Sequence, residues 1–239
     1  MLKLKEERIK ELKELERRIG YEFENIELLD FAFHHISKVN EAKSNNYKSN
    51  ERLEFLGDAI LGAVFAEYFF KKYREKDEGK LTKLKSMVTC EESFNYVANY
   101  FSLGDLLVMG KGEAKSGGRK RASTLSDTFE ALMASIYLDS SYEVVYDLIT
   151  VKHIGLFMKY LENSSQNYKS ILQNYIQRNK KEKLTYRLDS STGPDHDKTF
   201  YVTAFSGNRP LEQGVGKNKK QAEQDAAKNT IVKMGIEIE

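Results

Sequence analysis

The chain is poor in the residues that brace small or secreted proteins. Its 239 residues include one cysteine, two prolines, four histidines and no tryptophan. A lone Cys90 cannot close an intrachain disulfide and has no partner at zinc-site spacing, which excludes a disulfide framework and a cysteine-based metal knuckle. Both prolines, Pro194 and Pro210, fall late in the chain, so none interrupts a helix before them. Long apolar runs are missing as well. No stretch approaches bilayer length, and the opening residues 1–18 are charged at nearly every other position, unlike a membrane helix or a signal peptide. The expectation is a cytoplasmic globular protein with no membrane partner. A large excess of one charge is also lacking, since the net charge is +2. Its distribution is uneven: Lys plus Arg against Asp plus Glu is 25 against 27 in residues 1–162 and 13 against 9 in 163–239, or −2 and +4. An acidic part joined to a basic part fits a metal site coupled to a phosphate-binding module.

What is present suffices for real cores, with 40% hydrophobic residues. Leu4, Ile9, Leu12, Leu15 and Ile19 recur among charges at the spacing of an amphipathic helix over 2–19. Residues 26–33 are apolar; His34-His35-Ile36-Ser37 then opens a polar loop running to Ser49. Helical patterns follow over 51–73, 80–100, 124–138 and 142–161, and strand-like alternation is absent, so residues 1–162 read as an all-α domain. The polar, turn-forming stretch 161–167 marks a boundary, with 163–167 as linker and 168–239 as a second domain. There a helix over 168–178 precedes strands over 184–189, 199–206 and 209–216 and a helix over 218–234, an α+β domain of order α-β-β-β-α.

Two stretches carry the chemistry. Asn50-Glu51-Arg52-Leu53-Glu54-Phe55-Leu56-Gly57-Asp58-Ala59 and Leu125-Ser126-Asp127-Thr128-Phe129-Glu130-Ala131-Leu132 each set acids in a run so apolar that a helix made from it packs inside and carries its carboxylates with it. Glu54 and Asp58 stand one turn apart with Glu51 on the same side, while Asp127 and Glu130 share a face. Unpaired buried carboxylates are costly. With no assured Lys or Arg partner, converging carboxylates call for a divalent cation, and hard oxygen ligands suit Mg²⁺ or Mn²⁺. Adjacent His34 and His35 are poorly placed to share one ion.

The first stretch resembles the signature of bacterial ribonuclease III, and residues 125–138 resemble that family's second acidic helix; the likeness runs from about Leu15 to Gly235. Together with the spacing, it assigns Glu54, Asp58, Asp127 and Glu130 as metal ligands, with Asp58 and Glu130 also catalytic. Glu78, before Gly79, resembles the family's Glu-Gly turn, and the resemblance implies that Glu51 and Glu78 help organise the scissile strand or a further water. It also implies a homodimer in which Phe55 packs against the partner, and products with 5′-phosphate and 3′-hydroxyl ends and a short 3′ overhang. One segment departs from the family, whose Thr-His-Lys/Arg-Ser-Tyr is replaced by His34-His35-Ile36-Ser37-Lys38 with loss of a basic residue. Residues 111–121 are Gly-rich and basic and directly precede the second acidic helix, so Lys115, Arg119, Lys120 and Arg121 are placed to steer phosphates without reading bases.

The α-β-β-β-α order is similar to the double-stranded-RNA-binding domain, which recognises the shape of A-form RNA. On its first helix Ser170, Gln173 and Asn174 are suited to a minor groove, although the family usually has Glu at the position of Asn174. His196, in the Gly-Pro-Asp-His turn, resembles the family residue that enters the next minor groove. Lys217, Lys219 and Lys220 lie at the start of the last helix, where side-chain charge and the helix N-terminus both favour phosphate. The expected function is metal-dependent cleavage of double-stranded RNA in ribosomal, messenger and other RNA processing, with no small-molecule substrate. The alternative is a noncatalytic duplex-RNA-binding regulator, which has no physical reason to keep four like charges together.

Overall fold

The computed structural model describes residues 4–42, 48–165, 168–180, 182–194 and 198–236. The chain divides into two compact units, 1–161 and 162–239. Unit one is helical: α1 (Glu6–Ile19), α2 (Ile26–Phe31), α3 (Ile36–Ala42), α4 (Glu51–Lys72), α5 (Glu78–Val88), α6 (Glu91–Tyr100), α7 (Leu103–Leu106), α8 (Lys111–Lys115), a 3₁₀ turn over Gly118–Lys120, α9 (Ala122–Asp139), α10 (Tyr142–Asp147), a π-helical stretch Leu148–His153 and α11 (Ile154–Ser165). Among the described residues no helix is long and apolar enough to cross a membrane.

The core forms where α4 and α9 pack along each other and α6 closes over α9. Phe65 and Phe157 meet edge to face at 4.8 Å, and Phe94 lies 5.4 Å from Phe129. Leu12, Leu15 and Ile19, the apolar stripe read in the first helix, are fully or almost fully buried.

Several expectations shift. The polar loop expected over 34–49 contains α3, which buries none of its own residues and so shows no apolar periodicity. The single helical pattern over 80–100 is two helices, broken at Thr89 and Cys90. The Gly-rich basic residues 111–121 contain a short helix over Lys111–Lys115 and a 3₁₀ turn over Gly118–Lys120. The polar stretch read as a boundary and linker is helical as far as Ser165.

Unit two comprises α12 (Tyr168–Lys180), β1 (Leu184–Thr192), β2 (Thr199–Ser206), β3 (Arg209–Gly216) and α13 (Lys219–Met234), with an antiparallel sheet of order β1-β2-β3. β1 runs three residues beyond its expected end because, after a bulge between Leu188 and Ser190, the polar Ser190, Ser191 and Thr192 still pair with Tyr201, Phe200 and Thr199. Ala222 and Ala226 are fully buried, and a Cβ at Gly214 would come within 2.0 Å of the Ala226 nitrogen. Small residues on both elements therefore let α13 lie directly on β3. Lys169 ties α12 to α13 through Glu223 at 2.5 Å.

Candidate active site and nucleic-acid surface

The site is built on one close helix crossing. A Cβ at Gly57 would lie 2.0 Å from the carbonyl oxygen of Glu130, so only glycine allows the backbones of α4 and α9 to approach this closely. Glu54 stands one turn before Gly57 and Asp58 directly after it, which brings acids of both helices to the same crossing. Glu54, Asp127 and Glu130 each offer a carboxylate oxygen, and these three atoms lie within 4.8 Å of one another. All three residues are half-buried, whereas Glu51 and Asp58 are exposed. The apolar runs thus carry their acids to a rim open to water and not fully inside, a correction to the sequence reading. Asp58 stands outside the three-residue group but within reach of its field.

That field is repulsive. Burial, followed by the charges of Asp58, Asp127 and Glu54, pushes the Glu130 carboxyl up from 4.5 to about 8. Burial also raises Glu54, with Asp127, Glu51 and Asp58 adding to it. Asp127 is raised by burial and then by Glu91, while His35 pulls it down. Each principal charge acting on Glu130 is an acid. A set of hard oxygen donors in mutual repulsion fits a divalent cation, and Glu54, Asp127 and Glu130 are the residues able to hold one.

Glu51 accepts from the Ser49 hydroxyl at 2.6 Å and reaches the cluster only through its charge. Glu78 opens α5, is exposed and accepts from the Thr82 hydroxyl at 2.8 Å; it is not brought into the cluster. Glu91 is the acid the sequence reading passed over. Taken as the interior of one helix over 80–100, it is the first residue of α6 and lies near Asp127. Only an expected helix break at Cys90 would have pointed to it.

The basic segment separates into two pairs. Arg119 is half-buried and donates through Nη1 to the carbonyls of Gly104 at 2.9 Å and Asp105 at 3.2 Å. Arg121 is paired with Glu113. Both hold the segment's shape. Lys115 and Lys120 are exposed and carry its positive charge outward.

On unit two, Ser170, Gln173 and Asn174 share the exposed face of α12, opposite the fully buried Leu172 and Ile176. His196 lies outside the described residues. At the start of α13 the Asn218 side chain accepts from the Gln221 backbone N–H at 2.9 Å, and the Gln221 side chain accepts in return from that of Lys217 at 3.1 Å. These two bonds fix the helix start, with Lys217, Lys219 and Lys220 exposed around it.

Phe55 is 80% exposed and Phe70 71% exposed on α4. With the exposed Ala59, Ala63 and Ala66 between them, they make an apolar stripe at helical spacing on the face turned away from the core.

A helical unit that gathers carboxylates at a water-accessible rim, carried in one chain with a helix, three-stranded sheet and lysine-rich helix start, has the organisation of a nuclease acting on duplex RNA. Comparison with known proteins agrees along the chain. Residues 25–155 match the family described as Ribonuclease-III-like, and residues 168–234 match the double-stranded RNA binding motif. Ribonuclease 3 of Streptococcus agalactiae serotype Ia is 42% identical over 224 residues, 93% of this chain and 98% of that protein. Ribonuclease 3 of Clostridium tetani is 40% identical over 230 residues, 96% and 97% respectively. The solved nuclease domain of ribonuclease III from Campylobacter jejuni, 36% identical, superposes with a TM-score of 0.56 over 63% of this chain and 99% of its own. The chain belongs to the ribonuclease III family and is an endoribonuclease specific for double-stranded RNA.

Proposed function

We propose that Glu54, Asp127 and Glu130 hold Mg²⁺, with Mn²⁺ as a substitute, and that Asp58 completes the set when duplex RNA is bound. The observation that carries this reading is the convergence of three carboxylates with Glu130 held up to about 8. When bound, the ion supplies positive charge to the scissile phosphate and eases ionisation of water. Asp58, exposed beside the cluster, accepts a hydrogen bond from the attacking water and orients it. Glu51 and Glu78 position the scissile strand from outside the cluster. The water oxygen joins phosphorus and the bond to the 3′ oxygen breaks, leaving 5′-phosphate and 3′-hydroxyl ends.

Residues 1–162 act as the catalytic and dimerisation domain, and 168–239, beyond the 163–167 connection, as the RNA-binding domain. Ser170, Gln173, Asn174 and His196 take the minor groove, while Lys217, Lys219 and Lys220 take phosphates together with Lys115 and Lys120. Arg119 and Arg121 support that surface by shaping its loop.

Two copies pair through the α4 stripe around Phe55. The solved Campylobacter jejuni nuclease domain is described with a region involved in dimer formation, and an aromatic with 80% of its surface open gains most from such a contact. Twofold pairing sets two sites on the two strands of one duplex, cutting at a fixed offset. The substrates are ribosomal and messenger RNA precursors in the cytoplasm.

The test is incubation of the full chain with a long perfect RNA duplex, with and without Mg²⁺. Fragments with staggered ends only in the presence of the ion support the reading. Cleavage in chelator would remove the metal role, and tight binding without cleavage at any Mg²⁺ concentration would return the protein to the noncatalytic class.

A further inference from the structure

The segment in which this chain departs from the family pattern, 34–38, is tied to the basic segment by a chain of hydrogen bonds. It runs beside the residues that lead into that segment: Val108 N–H donates to the Phe33 carbonyl at 2.9 Å and His35 N–H to the Val108 carbonyl at 3.0 Å. Next along, the backbone N–H of Gly110 donates to the Ser37 hydroxyl at 2.9 Å, and that hydroxyl lies 2.8 Å from His35 Nδ1. Ser37's own N–H also donates to Nδ1, at 3.2 Å. Both contacts seat Ser37 against the Nδ1 edge of the His35 ring. The contacts form one continuous path from Gly110 through Ser37 to His35. Space enforces the contact, because a Cβ at Gly110 would come within 2.8 Å of the Ser37 carbonyl oxygen.

The two ends of this relay lie at different parts of the site. The His35 side chain lies near Asp127. Gly110 leads into α8, and thus to Lys115 and Lys120. We infer that Ser37 is a positioning residue for cleavage: its hydroxyl fixes the basic segment against the His35 side of the acidic site, so that phosphates held by Lys115 and Lys120 arrive in register with the carboxylates. It touches neither RNA nor ion and acts through His35 and Gly110. A serine that merely fills space would be replaced by alanine without effect on substrate handling. This inference rests on the reading that the basic segment meets phosphate.

The experiment is a double-mutant cycle in the full chain, measuring KM and kcat for one duplex at fixed Mg²⁺ with thermal unfolding alongside. Ser37→Ala alone is expected to raise KM about fivefold, the worth of one net hydrogen bond, with kcat and the unfolding temperature near parental. Ser37→Thr, which keeps the hydroxyl, restores KM. In a Lys115→Ala, Lys120→Ala background the same Ser37→Ala change has little further effect, because the charges it positions are gone. A KM unchanged by Ser37→Ala, while the double lysine variant raises it, overturns this inference and leaves the phosphate role of the segment standing. A KM unchanged by the double lysine variant overturns both. Full additivity of the two changes, or failure of Thr to rescue, also overturns the positioning role.

Discussion

Replacing Glu130 by Gln should abolish cleavage and at the same time stabilise the protein, in a way that depends on pH. The Glu130 carboxyl ionises at about 8 in the fold against an ordinary 4.5. A carboxyl raised in this way contributes stability that is fully present below 4.5 and is lost as pH rises through 8, because the folded state binds the proton over that interval and the unfolded state does not. At roughly 1.36 kcal/mol per pH unit the loss would reach nearly 5 kcal/mol on paper. Glu130 is only half-buried, and solvent screening reduces the expected effect to about 1–2 kcal/mol. Gln keeps the size and carries no charge, so the variant escapes the loss.

The assay is thermal unfolding of the helical unit within the full chain, in chelator, at pH 5 and pH 9. At pH 5 parent and variant should unfold together, since a protonated Glu130 is as neutral as Gln. At pH 9 the variant should unfold about 3–6 °C higher, from the usual shift per kcal/mol in a domain of this size. Added Mg²⁺ should raise the parent at pH 9 and the variant much less, while gel retardation with duplex RNA stays near parental for both. A difference independent of pH, or a variant less stable at pH 9, would refute the repulsive crossing. Near-parental cleavage by the variant at low Mg²⁺ would remove Glu130 from the metal-holding set.

Gly57→Ala should cost roughly 1–3 kcal/mol or more by overpacking and spread the carboxylates, so that the Mg²⁺ needed for half-maximal cleavage rises along with the loss in unfolding temperature; a normal Mg²⁺ requirement would detach the site from the crossing. Neutralising Lys217, Lys219 and Lys220 together should weaken binding to all duplex sequences alike and flatten the slope of log affinity against log salt by about one per lost phosphate contact, with cleavage surviving at saturating RNA; a loss confined to particular sequences would contradict a phosphate clamp. Phe55→Glu should leave the unfolding of each subunit nearly unchanged, since the ring is open to solvent, yet remove about 2 kcal/mol of apolar burial per subunit from a twofold contact. Sedimentation then shows monomer, and paired cuts decline more than duplex binding; parental protein that sediments as monomer at micromolar concentration while making staggered cuts would sink the dimer.

Both acidic helices are legible in the sequence because acids within apolar helical stretches have few explanations other than a shared cation. The α-β-β-β-α unit is legible because turn residues separate its alternating strands. What escapes is held by polar contacts distant in sequence. α3 buries nothing of its own and is docked by Ser37 and Glu41, whose side chains accept from the backbone of Gly110 and Lys111 some seventy positions away; no periodicity within 36–42 encodes that. Arg119 and Lys120 are neighbours in one basic run, yet one closes on the carbonyls of Gly104 and Asp105 while the other faces water. Composition cannot distinguish them, since the difference depends on where the end of α7 falls.

α4 shows why the acids sit where they do. Its inner face, through Leu61, Val64, Phe65 and Phe69, is almost wholly buried, and that apolar contact holds the helix against α9 over its length. The carboxylates occupy the N-terminal part of the same pairing, where Gly57 brings the backbones together and water still reaches the rim. Farther along the helix, surrounded by phenylalanine, they would simply be protonated. At a free helix end, with no close crossing, they would remain ordinary solvated acids. Only where tight packing meets solvent can Glu130 be held near 8, ready to give up its proton to a competing cation because the charges acting on it are those of Asp58, Asp127 and Glu54.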